Sequence, residues 1–218
     1  MRTYAQVALV ATAVAVAQPA LAAAYIDTVM GEIKPEEKMT VANPQPVQLL
    51  IEFQRDGATV PKGTKEITPI ITADVKATGL IGATSDTPPL GGARLSVLLN
   101  VVEEKGQNRK AFAAGFTWGL GSGVVANIDY TMTISYLPIA GAQPITRTLH
   151  RRLVFKYGKI AVPPNLLQQK SLKEGMQTLW RQMIDHGLHD IAHDPGFPRA
   201  TPFAATAAPA AAPTPGSN

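Results

Sequence analysis

The chain has 218 residues, 20 Lys and Arg against 16 Asp and Glu, and no cysteine. A formal charge of +4 and a pI near 9.4 are too mildly basic for a nucleic-acid partner, though they suit anionic lipid headgroups or other acidic envelope components. The missing cysteines exclude disulfides and anchoring through a lipidated cysteine, so the fold must be held by its core alone.

Residues 1–22 read as a secretory signal. Arg2 gives a positive start, Val7 to Ala17 is an apolar run broken only by Thr12, and Ala20-Leu21-Ala22 is the small-x-small pattern that a signal peptidase accepts. The run is about 11 residues where a spanning helix needs roughly 20. A cleaved signal is therefore expected, with the cut after Ala22 or after Ala24. The product would be exported, either periplasmic, peripheral to a membrane or secreted, with no transmembrane anchor. An irregular segment is expected over 23–44, a single α+β domain over 45–195, and a disordered Ala/Pro/Thr-rich tail over 196–218.

In PVQLLIEFQRDG, Val47, Leu49, Ile51 and Phe53 alternate, and Asp56-Gly57 supplies a turn, so a strand is expected. TPIITADVKATGL predicts a short helix over 69–78: Thr68 can cap it, Pro69 suits the first position, Lys76 sits in the last turn and Gly79 follows the end. Leu95, Val97, Leu99 and Val101 mark a second strand. Ile128, Tyr130, Met132, Ile134 and Tyr136 alternate with Asp129, Thr131, Thr133 and Ser135 in a third. ITRTLHRRLVFKYG is its expected hairpin partner. The last element, SLKEGMQTLWRQMIDHGLHDIAHDPG, opens with a Ser171–Glu174 capping box and stops at Pro195-Gly196. Its apolar face, including Leu172, Met176, Leu179, Trp180, Met183, Ile184, Leu188 and Ile191, should lie on a sheet. The expected architecture is α+β: an antiparallel sheet of about four to five strands, packed by a short N-terminal helix and a long C-terminal amphipathic helix.

Three stretches raise site hypotheses. His186, His189 and His193 fall within about 60° of one another on the flank of the last helix. His189 and His193 form an HxxxH pair, at which two imidazoles can share Zn²⁺, Cu²⁺ or Ni²⁺, with Asp185, Asp190 and Asp194 as supporting groups. His186 and His193 lie roughly 10 Å apart along the axis, so one ion cannot take all three on an unbroken helix. The plainer reading is that these histidines complement the helix dipole. The uncharged stretch 111–126 offers Phe112, Phe116 and Trp118 as docking anchors; its plainer reading is a buried strand with a Gly-rich bend. Arg147 and Arg151 fall on one side of their strand and His150, Arg152 and Lys156 on the other, so Arg147, Arg151 and Arg152 are candidates for an anion contact.

Enzyme motifs are missing from the sequence. Gly119-x-Gly121-x-Gly123 lacks a Walker lysine and precedes a strand. Ser122 in GLGSGV is not a nucleophile elbow. Glu103 and Glu104 are neighbours on a strand and point to opposite faces. No HExxH occurs.

ADVKATGLI, AGFTWGLGSG followed by NIDYTMTISY, and the terminal amphipathic helix together resemble small exported bacterial envelope proteins, many of them lipoproteins, over about 45–192. The β–α–β opening is similar to that of auxiliary lipoproteins of envelope transporters and the amino-terminal domain of TolB. The missing lipidation cysteine departs from that pattern. The resemblance implies a non-catalytic exported binding or accessory protein, without a cofactor, whose partner is an envelope protein or an anionic envelope component. The alternative is a periplasmic metal-binding protein using the His-rich helix.

Overall fold

The computed structural model describes residues 23–103, 124–138, 142–157, 161, 164–198 and 200–202. Ten strands occur in this part: β1 Ala23–Asp27, β2 Met39–Val41, β3 Val47–Arg55, β4 Ala58–Thr59, β5 Thr84–Ser85, β6 Arg94–Glu103, β7 Val124–Leu137, β8 Ile145–Tyr157, β9 Leu166–Gln169 and β10 Ala200–Pro202. Two α-helices accompany them, α1 Pro61–Ala77 and α2 Leu172–Ala192. Eight strands form one sheet in the order β4-β3-β6-β7-β8-β1-β9, with β5 also on β3, and β2 pairs with β10 separately.

The architecture is α+β, as expected, but the sheet is larger and mixed. β3 and β6 run parallel, from Gln48↔Arg94 to Arg55↔Val101, with α1 as their crossover. Strand periodicity does not distinguish parallel from antiparallel pairing; the intervening helix does. Segment 23–44, expected to be irregular, supplies β1, a 3-10 turn at Pro35–Glu37 and β2. The first residues of the expected tail also take part in the fold. Phe197 is buried, its ring centroid 4.9 Å from that of Tyr136, and β10 holds Ala200–Pro202 on β2.

The helix expected over 69–78 begins eight residues earlier. Pro61 takes the first-turn position, and Pro69 lies inside the helix. Thr68 does not cap: its hydroxyl donates to the Thr64 carbonyl at 2.7 Å. Pro69 is exposed, so the Lys65 carbonyl it leaves without an N–H partner meets water while Ile67, Ile71 and Val75 carry the buried face past it. In α2 the capping box forms. Ser171 Oγ accepts from Glu174 N–H at 3.1 Å, and the Glu174 carboxylate accepts from Lys170 N–H at 3.1 Å.

The long strands keep the expected parity. Tyr130, Met132, Ile134 and Tyr136 are buried beneath the helices with Leu95, Val97 and Leu99. Trp180 is buried too and meets Tyr130 edge-on, ring centroids 6.2 Å apart. At Gly187 a Cβ would come within 2.6 Å of Ile134 Cδ1 and 2.9 Å of Leu149 Cδ1, so glycine lets α2 approach β7 and β8 closely. On the opposite face, a hydroxyl meets an imidazole across β7 and β8 at Thr131–His150, and hydroxyls meet at Thr133–Thr148 and Ser135–Thr146.

Among the described residues one charged side chain is buried, and it is on the helix-facing side. Arg151 of β8 is 4% exposed. Its guanidinium donates to the Asp27 carboxylate and carbonyl at 3.2 and 3.0 Å, to the Met30 carbonyl at 3.1 Å and to Gln182 Oε1 at 3.0 Å. Removing it would strand these acceptors and a carboxylate, so Arg151→Ala should lower the unfolding free energy by about 3 kcal/mol. The more exposed Arg152–Asp129 pair gives the contrast, since Arg152→Ala should cost under about 1 kcal/mol. Urea unfolding of both variants checks this; equal losses would refute the assigned role of Arg151.

Candidate functional site

Between β1 and β2 the chain forms a strap across one flank of α2. Four side chains fasten it. Arg151 reaches the Met30 carbonyl, and His186 Nε2 donates to the Gly31 carbonyl at 2.9 Å. Arg181 grips Glu32 with two bonds of 2.9 and 2.6 Å, and His189 Nε2 donates to the Glu37 carbonyl. A carbonyl oxygen carries no hydrogen, so the ring nitrogens must be the donors here. His193 turns back onto its own helix, where Nδ1 donates to the His189 carbonyl at 2.8 Å. Its ring meets that of His189 edge-on, centroids 4.6 Å apart.

This arrangement answers the question raised by the histidine stripe. Each imidazole has one nitrogen engaged by a backbone carbonyl, and among the described residues no three His, Asp or Glu side chains are placed to hold a metal ion. The reading of His186, His189 and His193 as a Zn²⁺, Cu²⁺ or Ni²⁺ site is unsupported. Two of the three fasten the strap instead.

Under the strap lies a cavity of about 20 Å³, lined by Ile33, Lys38, Met39, Leu80, Asp185 and His189 among others. That is room for about one water. Beside it, Asp74 of α1 and Asp185 of α2 meet across the helix seam. Burial, and then the charge of Asp185, push the Asp74 carboxyl up to about 6, against the pull of Arg181; its Oδ2 is buried without a hydrogen-bond partner among the described residues. Burial also raises the Asp185 carboxyl, although Lys38 and Arg181 oppose it. The imidazole of His189 lies below its ordinary value because burial penalises its charged form, despite its bond to Glu37. Burial would raise Glu32 too, but Arg181 outweighs it and holds that carboxyl low.

The arginines proposed as an anion contact are already engaged. Arg151 is buried with Asp27; Arg152 pairs with Asp129 at 2.7 Å and Arg147 with Asp194 at 3.3 Å. β8 is central, flanked by β7 and β1, so these charges do not guard an exposed edge. Phe112, Phe116, Trp118, the Gly119–Gly123 loop, Ser122 and residues 1–22 lie outside the described residues. Among the described residues no helix is long and apolar enough to cross a membrane.

Sequence reasoning missed the Asp74–Asp185 seam and the strap. A usable signal existed for Asp74: in α1 it directly precedes the buried Val75, at the border of the apolar stripe.

No known family model matches the chain, nor does any curated protein. Among solved structures it is similar to the rare lipoprotein B of Shewanella oneidensis, at 13% identity and a TM-score of 0.28, over 66% of this chain and 88% of that one. An uncharacterized protein is similar at 14% identity and a TM-score of 0.27, over 71% of this chain and 94% of that one. Likenesses this weak carry no argument about the fold or the function.

The seam makes a pH-dependent prediction. The folded chain holds the Asp74 proton more tightly than the ordinary value of 3.8 allows. Stability should therefore fall as pH rises from there through about 6. Asp74→Asn removes that loss. Since Asp74 is only half-buried, the gain should be about 1 kcal/mol at pH 8 and absent at pH 4. Urea midpoints at the two pH values check it; a variant equally or less stable at pH 8 would sink the assignment.

Proposed function

We propose that the chain is an exported accessory domain of the bacterial cell envelope that works by binding. The observation that carries the export half is the junction between the Ala20-Leu21-Ala22 pattern and β1. β1 starts at Ala23. Ala24 is buried and pairs with Phe155 on one side and Gln169 on the other. A cut after Ala22 leaves this strand whole, whereas a cut after Ala24 removes two of its paired residues. The structure-supported choice between the two cleavage positions is Ala22.

For the binding half, support comes from what the charged side chains do. Arg151, Arg181, His186 and His189 fasten the strap, and Arg147 and Arg152 pair with carboxylates. The cavity beneath the strap is too small for an organic substrate. An envelope protein or an anionic envelope component is the proposed partner class.

Expression of the full chain in a Gram-negative host, followed by fractionation and N-terminal sequencing, tests the export reading. Periplasmic protein beginning at Ala23 is the expected result. Cytosolic protein retaining Met1 would overturn export, and a start at Tyr25 would overturn the Ala22 cut.

A further inference from the structure

We propose that the outer edge of β3 is a docking groove for an extended acidic peptide segment of a partner protein, whose main chain pairs with Ile51 between β5 and β4. The proposal rests on the reading of the chain as a binding domain and is independent of its export.

The inner edge of β3 is paired with β6 from Gln48 to Arg55. Among the described residues its outer edge is covered by strands only at the ends, by β5 at Val47 and Gln48 and by β4 at Gln54 and Arg55. Along a strand the main-chain groups alternate between the two edges. Gln48 N–H donates inward to Ala93 at 2.9 Å. Val47 N–H donates outward to Ala83, and Phe53 C=O accepts outward from Val60 N–H, both at 2.9 Å. Odd-numbered residues therefore face outward. Ile51 stands between the covered ends, and neither its N–H nor its C=O has a partner among the described residues.

A groove of about 500 Å³ lies beside it, with Leu49 to Ile51 as the floor, Thr68, Thr72 and Lys76 of α1 as the wall, and Thr84 to Asp86 at one end. Helix and strand keep step along this wall. Four helical residues rise about 6 Å and two strand residues about 6.7 Å, so every fourth residue of α1 matches every second residue of β3. At the first step the helix closes the edge, because Thr64 Oγ1 accepts from Phe53 N–H at 2.9 Å. At the next step it does not. The Thr68 hydroxyl donates to the Thr64 carbonyl, and the Ile51 N–H is left open.

The geometry selects the occupant. β5 and β4 bound a gap of about five residues or 17 Å, so a short extended segment enters, while the long edge strand of a second globular copy meets those strands. An unpaired N–H and C=O call for a peptide main chain. Lys76 is exposed, with no ion pair among the described residues, so a carboxylate in the segment is favoured there. The aliphatic floor takes branched side chains.

The test uses the ¹⁵N-labelled full chain and one probe, an acetylated and amidated hexapeptide of alternating valine and threonine with one aspartate. In the free chain the Ile51 amide should exchange quickly, while the amides of Leu50 and Glu52, directed at β6, exchange slowly. The peptide should slow Ile51 at least tenfold. N-methylating the peptide amides along one edge, or filling the groove with Thr72→Trp, should each weaken binding at least tenfold, with unchanged thermal stability of the variant; Lys76→Ala should weaken it two- to fivefold. An Ile51 amide protected in the free chain overturns the proposal. So does absence of peptide binding. Binding that survives both N-methylation and Thr72→Trp overturns the groove while leaving a binding domain. A dimer broken by Thr72→Trp assigns the groove to a second copy and also overturns it.

Discussion

A guanidinium on the core side of a central strand must have its donors met inside the protein, because no water is there to meet them. Arg151 is in that position, and its partners dictate much of the arrangement around it. Asp27 closes β1, Met30 begins the strap and Gln182 lies in the middle of α2. Two stretches distant in sequence, residues 27–30 and α2, are thereby brought to one strand. β1 then has a fixed place between β8 and β9, and the chain leaving it must pass over α2. The histidines that look like metal ligands in the sequence follow from that path: once the strap crosses the flank of α2, its carbonyls need donors, and His186 and His189 supply them.

Unfavourable electrostatics lie next to the strap. Burial raises both Asp74 and Asp185 at the seam where α1 meets α2. Arg181 could compensate both, but its guanidinium is committed to Glu32 by two short bonds. The strap is thus fastened by an ion pair that leaves two neighbouring carboxyls undercompensated. Perturbed carboxyls often mark catalytic sites. Here they adjoin a cavity of about one water, and burial with the neighbouring charges sets the perturbation.

What was legible in the sequence divides along a physical line. β3, β6, β7, β8 and α2 were readable because each buries one face, and a buried face imposes its period on nearby residues. The Ser171 capping box was readable for a similar reason, since all its atoms lie within four residues. The start of α1 was missed because two prolines, Pro61 and Pro69, both suit a first turn, and only packing of Ile67 selects the earlier one. β1 is too short to show a period, and its place depends on β8, some 130 residues away. The histidine stripe keeps its spacing, and two of its rings meet carbonyls of a segment that nothing local to α2 announces. Side-chain parity on β8 was foreseen; the partners of Arg147, Arg151 and Arg152 were not, because ion pairing is a property of the assembled sheet.

A strand edge with unpaired main-chain groups invites unwanted association, and folded chains usually blunt it. On the β3 edge this protein uses three devices: the Asp56-Gly57 turn folds β4 back along one end, β5 returns to the other, and the Thr64 hydroxyl takes the place of a strand carbonyl at Phe53. A second threonine stands one helical step further on, in register with Ile51, and its hydroxyl is turned to its own helix. Pro69 follows directly, where the helix already lacks an N–H. The protection therefore stops within a single step of the α1–β3 match, inside a stretch protected on both sides. An edge left open by neglect would be open along its length. This one is closed at both ends and open around Ile51, beside a groove, which is the shape expected of an edge kept for a short strand.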